Sequence, residues 1–157
     1  MTREEKFMNE AVLLSERGIR NNDGGPFGCV IVKDNLIIGR GYNQVISSND
    51  PTAHAEIIAI RDACKNLGTF SLDGCEVYTS CEPCPMCLGA IYWARPKIIY
   101  YANTHKDAAA IGFDDSMIYE EINKDLKDRK IPTIHLESAE AKKIFLDWDD
   151  KKGRISY

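Results

Sequence analysis

Apolar side chains recur at helical spacing near the start of the chain. Within residues 3–20 they alternate with polar and charged residues so that one side of a helix would be buried. These apolar residues are Phe7, Met8, Ala11, Val12 and Leu14. The pattern therefore predicts an amphipathic helix over residues 3–20.

Two apolar runs follow, at residues 29–33 and 36–39, and they flank Asp34 and Asn35. Asp and Asn tolerate the positive φ angles of a tight turn, so the pattern predicts a β-hairpin. Residues 43–50 are polar, and we expect irregular structure there.

The next segment predicts a helix that opens at residues 50–52, carries His54 in its first turn and ends at Gly68. Residues 75–80 then predict a strand. Pro83 and Pro85 mark the start of another helix, which runs to about Trp93.

The last third of the chain continues this alternation of elements. Residues 97–101 and 131–136 read as strands, and residues 105–110, 116–128 and 138–148 read as helices. The full order predicts one α/β domain, in which helices cover both faces of a mixed five-stranded sheet. From residue 75 onward the strands should be joined by parallel crossovers.

Composition narrows the class of protein. The chain has 157 residues, of which 44% are hydrophobic and 28% charged, as expected for one soluble globular domain. No apolar run approaches the roughly 18 residues of a membrane span. The N-terminus lacks the apolar segment of a signal peptide, which predicts a cytoplasmic protein.

Charge points to the kind of partner. The formal net charge is −4, and Lys and Arg are interleaved with Asp and Glu rather than gathered in a basic stripe. Nucleic-acid-binding domains usually carry such a stripe. We therefore expect a small-molecule substrate, with no nucleic acid and no membrane.

The strongest chemical signal is a pair of short motifs about thirty residues apart. His54-x-Glu56 is followed by Pro83-Cys84-x-x-Cys87. A catalytic zinc takes three protein ligands and keeps one position for water. His54, Cys84 and Cys87 fit that number, and Glu56 remains as a carboxylate to move protons. The pair of motifs is typical of zinc-dependent deaminases.

The cysteine spacing also allows two other kinds of metal site. Cys81 precedes Cys84 by three residues and could close a structural Cys₃His zinc site, as in a zinc-stabilised interaction module. An iron–sulfur cluster is less favoured, because a fourth cysteine is missing after Cys87. Cys29, Cys64 and Cys75 lie in apolar segments and read as small buried thiols.

Longer segments around these motifs resemble the bacterial guanine deaminases of the cytidine/deoxycytidylate deaminase superfamily. The matching segments are residues 24–28, 48–56, 80–96 and 112–116, together with Tyr157. The likeness covers most of residues 7–120, whereas residues 122–155 share length and helical character. It implies the three-layer α-β-α cytidine deaminase-like fold and one Zn²⁺ per chain.

The resemblance also implies a reaction. Zinc-activated water would attack C2 of guanine, Glu56 would shuttle protons, and xanthine and ammonia would form. Asn43 resembles the family's purine-binding asparagine, and Phe27 and Trp93 would line the base pocket. Asp115 resembles a catalytic carboxylate that reads guanine and assists the leaving amine.

Assembly is implied in the same way. In this family the C-terminal segment, here about residues 138–157, crosses to the neighbouring subunit, where its terminal tyrosine closes the active site. Tyr157 is the last residue here, so the resemblance implies a domain-swapped homodimer within a single deaminase domain over residues 1–157.

Two related activities compete with guanine deamination. A tRNA adenosine deaminase has a similar His-Ala-Glu and Pro-Cys-x-x-Cys core, and a cytosine deaminase is a further alternative. The acidic pI of about 5.4, the Asp114-Asp115 segment and the acidic residues near the C-terminus all argue against a tRNA substrate.

Overall fold

A four-stranded mixed sheet forms the centre of the protein, in the spatial order β2-β1-β3-β4. Its strands are β1 (Gly28–Lys33), β2 (Leu36–Tyr42), β3 (Glu76–Cys81) and β4 (Ile98–Asn103). β1 runs antiparallel to both of its neighbours, and β3 runs parallel to β4. The computed structural model describes all 157 residues.

The chain contains seven α-helices. They are α1 (Arg3–Arg20), α2 (Val45–Ser48), α3 (Ala55–Leu67), α4 (Pro85–Ala94), α5 (His105–Ala110), α6 (Ser116–Ile122) and α7 (Ala139–Asp149). A 3₁₀ turn spans Leu126–Asp128. None of the helices combines the length and apolar character needed to cross a membrane.

The first predicted elements are confirmed. α1 covers residues 3–20 as its periodicity predicts. In the β1–β2 hairpin, Asp34 and Asn35 adopt φ angles of 49° and 64°. These left-handed angles let two residues close the turn between antiparallel strands.

Helices lie on both faces of the sheet, as predicted. On one face, Val30, Val32 and Tyr78 are buried beneath Phe7 and Met8 of α1. Strand side chains alternate between faces, so their neighbours in sequence point the other way. The result is two apolar layers separated by the sheet.

The opposite face is covered by α3 and α4. Ile31 and Val77 of the sheet share a buried cluster with Ala59 and Ala63 of α3 and with Ile91 of α4. The alanines allow α3 to approach the strands closely, because they carry only a methyl group.

The closest approach lies at Gly41 of β2. A Cβ atom there would collide with the carbonyl oxygen of Ala55 and crowd the amide of Ala59. Only glycine fits this contact. It holds the first turn of α3, and hence the residues that begin it, directly on the sheet.

The prediction of a fifth strand at residues 131–136 is wrong. These residues form no strand, and Ile131, Ile134 and Leu136 are exposed. Pro132 has no backbone N–H to donate to a strand ladder. The short apolar alternation was therefore not sufficient to specify a strand.

The predicted start of α3 also needs correction. His54 is the N-cap residue of α3, with extended φ and ψ angles, and is not inside its first turn. The Asp50 side chain instead accepts hydrogen bonds from the backbone and hydroxyl of Thr52, at 2.8 and 2.7 Å. Asp50 thus closes a local turn before the helix.

Two further predictions differ in detail. The predicted irregular segment at residues 43–50 contains the short helix α2. The predicted helix over residues 116–128 is divided into α6 and the separate 3₁₀ turn. The other predicted strands and helices occur within a few residues of their expected bounds.

The chain divides into two units, Met1–Asp115 and Ser116–Tyr157. The first contains the sheet and helices α1 to α5. The second contains α6, the 3₁₀ turn and α7, in none of which a residue is buried.

Candidate active site

His54 and Cys84 occupy equivalent places in the fold, because each is the N-cap residue of a helix. Cys87 follows in the first turn of α4, which begins with Pro85. Proline suits that first position, since its missing N–H has no partner there anyway. The two helix starts bring one imidazole and two thiols together.

The three ligand atoms form a compact group. His54 Nδ1 lies 3.6 Å from the sulfur of Cys84 and 3.5 Å from the sulfur of Cys87. All three atoms lie within 4.8 Å of one another. The predicted ligand set is thus assembled in space, although it comes from segments thirty residues apart.

These distances fit zinc. Typical Zn–S and Zn–N bonds of about 2.3 and 2.0–2.1 Å at tetrahedral angles place sulfur and nitrogen about 3.5 Å apart. Two sulfurs and one imidazole nitrogen are also donors that zinc prefers. His54, Cys84 and Cys87 would therefore hold the ion with little rearrangement.

Electrostatics favour a thiolate in this group. A hydrogen bond from Cys87 lowers the pKa of the Cys84 thiol to about 4. The same hydrogen bond, together with burial, raises the pKa of Cys87. The hydrogen bond with Cys84 raises the pKa of His54. The three side chains therefore share protons that a bound cation would displace.

Cys81 does not belong to this group. Its thiol lies 3.7 Å from the carbonyl oxygen of Thr104. Burial raises the pKa of its thiol to about 11. The site offers three protein ligands, the number typical of catalytic zinc, and the alternative of a closed Cys₃His site is not supported.

Glu56 lies in the first turn of α3 and is only 6% exposed. Its carboxylate accepts a hydrogen bond of 2.8 Å from the hydroxyl of Thr79. Burial raises the pKa of Glu56, and hydrogen bonds to the carboxylate oppose that rise. The carboxylate therefore lies beside the ligand group without being part of it.

Asn43 is buried at the end of β2. Its side-chain oxygen accepts a hydrogen bond of 3.1 Å from the backbone N–H of Val45. A Cβ atom at Gly24 would collide with that same oxygen. The glycine and the backbone N–H together fix the orientation of the Asn43 amide.

Phe27 contacts a second aromatic residue, Phe113. Their ring centroids are 5.0 Å apart and the rings meet edge to face. A Cβ atom at Gly25 would press on both rings, at 2.9 Å from each. The segment that contains Phe113 is thereby joined to the loop before β1.

Asp115 ends the first unit and lies near the ligand group. Burial raises its pKa, and the charge of Cys84 adds to that rise. Asp115 and Glu56 both contribute to the raised pKa of Cys81. The carboxyl groups of Asp115 and Glu56 therefore both lie close enough to Cys81 to affect its pKa.

Trp93 and Tyr157 both have exposed side chains. Trp93 is 67% exposed near the C-terminal end of α4, whereas Cys84 and Cys87 lie at its start. Tyr157 belongs to the second unit and is 69% exposed. Their roles stay predictions.

Three residues of this region were not predicted as site residues: Thr79, Phe113 and Gly24. All three lie inside or beside segments that carry the family resemblance, which was the available signal. Their contacts join residues far apart in sequence, and periodicity cannot show such contacts.

Known proteins resemble this chain at several levels. Residues 1–103 match the family model described as the cytidine and deoxycytidylate deaminase zinc-binding region. The guanine deaminase of Bacillus subtilis (strain 168) is 55% identical over 153 residues, which cover 98% of both proteins. Its X-ray structure superposes with a TM-score of 0.95 over 98% of each chain.

Two further relatives match a smaller part. The tRNA-specific adenosine deaminase of Aquifex aeolicus (strain VF5) is 39% identical over 68% of this chain and 71% of that protein. The structure of NE0047 in complex with 2,6-diaminopurine has 37% identity and a TM-score of 0.68, covering 71% of this chain and 62% of that one. With the family model matching well over half of its length, the chain belongs to the cytidine and deoxycytidylate deaminase family.

Proposed function

We propose that this chain is a zinc-dependent enzyme that deaminates guanine to xanthine and ammonia. The observation that carries the proposal is the group of His54, Cys84 and Cys87 with the buried carboxylate of Glu56 beside it. The likeness to the Bacillus subtilis guanine deaminase over 98% of the chain points to guanine as the base.

Zinc bound by the three side chains would lower the pKa of a water molecule to about 7 and so provide a nucleophile at neutral pH. The donor atoms and their spacing suit this ion. His54 is held at the start of α3 on the sheet, and Cys84 and Cys87 at the start of α4, so both sides of the site rest on rigid elements.

Glu56 moves the protons of the reaction. As the water oxygen bonds to C2, Glu56 accepts a water proton and delivers it to the adjacent ring nitrogen. It then takes the remaining proton from the hydroxyl now on C2 and transfers it to the exocyclic amine, so that the bond from C2 to the exocyclic nitrogen breaks, ammonia leaves and C2 becomes a carbonyl. Such general acid–base assistance contributes about 10²–10⁴-fold to a rate.

Asn43 orients the base. Its side-chain oxygen is engaged by the N–H of Val45, so its amide NH₂ is the group that can donate to a ligand. Guanine offers the acceptors O6 and N7. Gly24 keeps this amide in place, because any larger residue would displace it.

Phe27 provides an aromatic wall for the base. Its edge-to-face contact with Phe113 fixes the ring, and aromatic rings favour stacking on flat nucleobases. Stacking on Phe27 and a hydrogen bond from the Asn43 amide would together orient the purine with one edge of its ring toward the metal.

Asp115 selects guanine. An ionised carboxylate only accepts hydrogen bonds, and guanine presents N1–H and the exocyclic NH₂ as neighbouring donors. Adenine has no N1–H. A site built to bind that donor leaves the carboxylate unpaired with adenine and rejects it strongly.

The extent of similarity favours a free base over tRNA. The alignments with tRNA-specific adenosine deaminases cover between 52% and 74% of this chain. The alignment with the guanine deaminase covers 98% of it. The net charge of −4 gives no general attraction to a polyanion.

We also propose a homodimer in which residues from about 138 to 157 pack on the partner. Supporting this, α7 exposes Ile144, Phe145, Leu146 and Trp148, which are apolar side chains that normally need a covering surface. Tyr157 would then close the partner's site, and Trp93 would line the base pocket.

The test is an ammonia-release assay on the purified zinc-loaded protein. Free guanine, adenine and cytosine, the nucleoside guanosine and a tRNA anticodon stem-loop are compared at equal concentration. We expect rapid release from guanine, with adenine lower by about 10⁴-fold or more because of its missing donor. Deamination of cytosine or tRNA with guanine inert would overturn the proposed substrate.

A further inference from the structure

Thr79 contacts the carboxylate that the proposed reaction depends on. Its hydroxyl lies 2.8 Å from Oε1 of Glu56. Thr79 is 1% exposed and Glu56 6% exposed, so no bulk water competes for this hydrogen bond. The two residues are 23 positions apart and lie on different elements, β3 and α3.

The hydrogen bond from Thr79 restricts the position of the flexible Glu56 side chain. A glutamate side chain has three rotatable bonds, whereas a proton carrier must stay within hydrogen-bond reach of water and base. Misplacement by about 1 Å can cost about 100-fold in rate. β3 lies between β1 and β4 and is therefore an internal strand of the sheet. An internal strand holds the hydroxyl in a fixed position.

The hydroxyl has a second neighbour. Thr79 Oγ1 also lies 3.0 Å from the carbonyl oxygen of Cys81. A hydroxyl carries one hydrogen and two acceptor lone pairs. It can donate to the Glu56 carboxylate, or donate to the Cys81 carbonyl while it accepts from a protonated Glu56. The contact can thus persist while Glu56 carries a proton.

We propose that Thr79 is a positioning residue for the reaction, and that its hydroxyl holds the Glu56 carboxylate in the orientation that transfers protons. This rests on the proposed function for the role of Glu56. It assigns to Thr79 no contact with substrate or metal.

The test compares Thr79→Val with Thr79→Ser. Valine keeps the branched shape and replaces the hydroxyl with a methyl group, whereas serine keeps the hydroxyl and lacks the methyl group. We expect Thr79→Val to lower kcat by about 10- to 100-fold with KM nearly unchanged, because positioning affects the chemical step. Thr79→Ser should stay within about threefold of wild type. Zinc content should equal that of wild type in both variants.

Tyr78→Phe is the matched control. Tyr78 is the preceding residue of β3, points to the opposite face, and donates a 2.7 Å hydrogen bond to the carboxylate of Glu76. Removing its hydroxyl deletes this bond, together with one of 3.1 Å that it accepts from Arg3, on the same strand but away from the site. We expect wild-type kcat with a loss of thermal stability similar to that of Thr79→Val.

A crystal structure of zinc-loaded Thr79→Val gives a readout that is independent of activity. The Glu56 carboxylate should rotate away from its wild-type position. Wild-type kcat in Thr79→Val, an unmoved carboxylate, loss of zinc, or failure of serine to restore kcat would each overturn the proposal. These outcomes are measured on whichever base the wild type deaminates, so they are separate from an error in the assigned substrate.

Discussion

The residues up to Asp115 and those from Ser116 onward differ in where their apolar side chains lie. The first unit buries two clusters against its sheet, with side chains such as Ile31 and Val77 fully covered. The second buries no residue of its helices, and Phe145 is 80% exposed. The first unit therefore has a core of its own, whereas the apolar side chains of α7 in the second unit are exposed.

This difference between the two units indicates that they are suited to different functions. Catalytic groups need fixed positions, and every residue of the metal group and its carboxylate lies in the unit with a core. An exposed amphipathic helix is suited to association. Three experiments test this division, from the largest expected effect to the smallest.

The first experiment tests whether catalysis depends on a carboxylate of the first unit. Glu56→Gln keeps the shape of the side chain and removes its ability to carry a proton. We expect kcat to fall by about 10²–10⁴-fold, since general acid–base catalysis is lost. Metal analysis should still find about one zinc per chain, as Glu56 is not among the three ligands.

Glu137→Gln is the control in the second unit, where the carboxylate is 77% exposed. Its kcat should equal that of wild type. Retained activity in Glu56→Gln would remove this carboxylate from the proposed mechanism.

The second experiment compares two apolar side chains. Ile31→Ala creates a cavity in the buried sheet and should lower the free energy of unfolding by about 2–5 kcal/mol, measured by urea denaturation. Phe145→Ala removes an exposed ring and should change the unfolding of the dilute monomer by about 0.5 kcal/mol or less.

The effect of Phe145→Ala should instead appear in assembly. Analytical ultracentrifugation should show a dimer dissociation constant raised by about tenfold or more, as for a central aromatic contact. A monomeric wild type, or an unchanged dissociation constant, would contradict the proposed role of α7.

The third experiment compares two carboxylates at acid pH. Glu76 is buried at the start of β3, where Arg3 and Lys97 bind it at 2.8 and 3.0 Å. The hydrogen bond from Arg3 is the largest cause that lowers the pKa of Glu76 to about 2. Since this folded-state pKa lies below the unfolded value, the stabilisation is present above about pH 5 and lost as the pH falls toward 2.

We expect Glu76→Gln to lose about 2–3 kcal/mol of unfolding free energy at pH 6, and the difference from wild type to shrink as the pH falls. Asp147 pairs with Lys143 in the second unit, but both side chains are more than half exposed. Asp147→Asn should therefore change stability by about 0.5 kcal/mol or less at any pH. Equal effects of the two variants would contradict the distinction between the units.

The sequence by itself determined the parts that depend on local pattern. The periodicity of α1, the Asp34-Asn35 turn and the metal ligands at His54, Cys84 and Cys87 could all be read from short segments, because helical spacing, turn chemistry and ligand spacing are local properties. The resemblance added residues whose roles still depend on the proposed function.

Tertiary structure decided what joins distant segments. Residues 131–136 have the alternation of a strand but no ladder partner, so only the fold could show that the sheet has four strands. The hydroxyl of Thr79 meets Glu56 because α3 packs on the sheet, and Gly24 meets Asn43 because two loops converge. Such contacts arise from packing, and nothing in the spacing of residues along the chain encodes them directly.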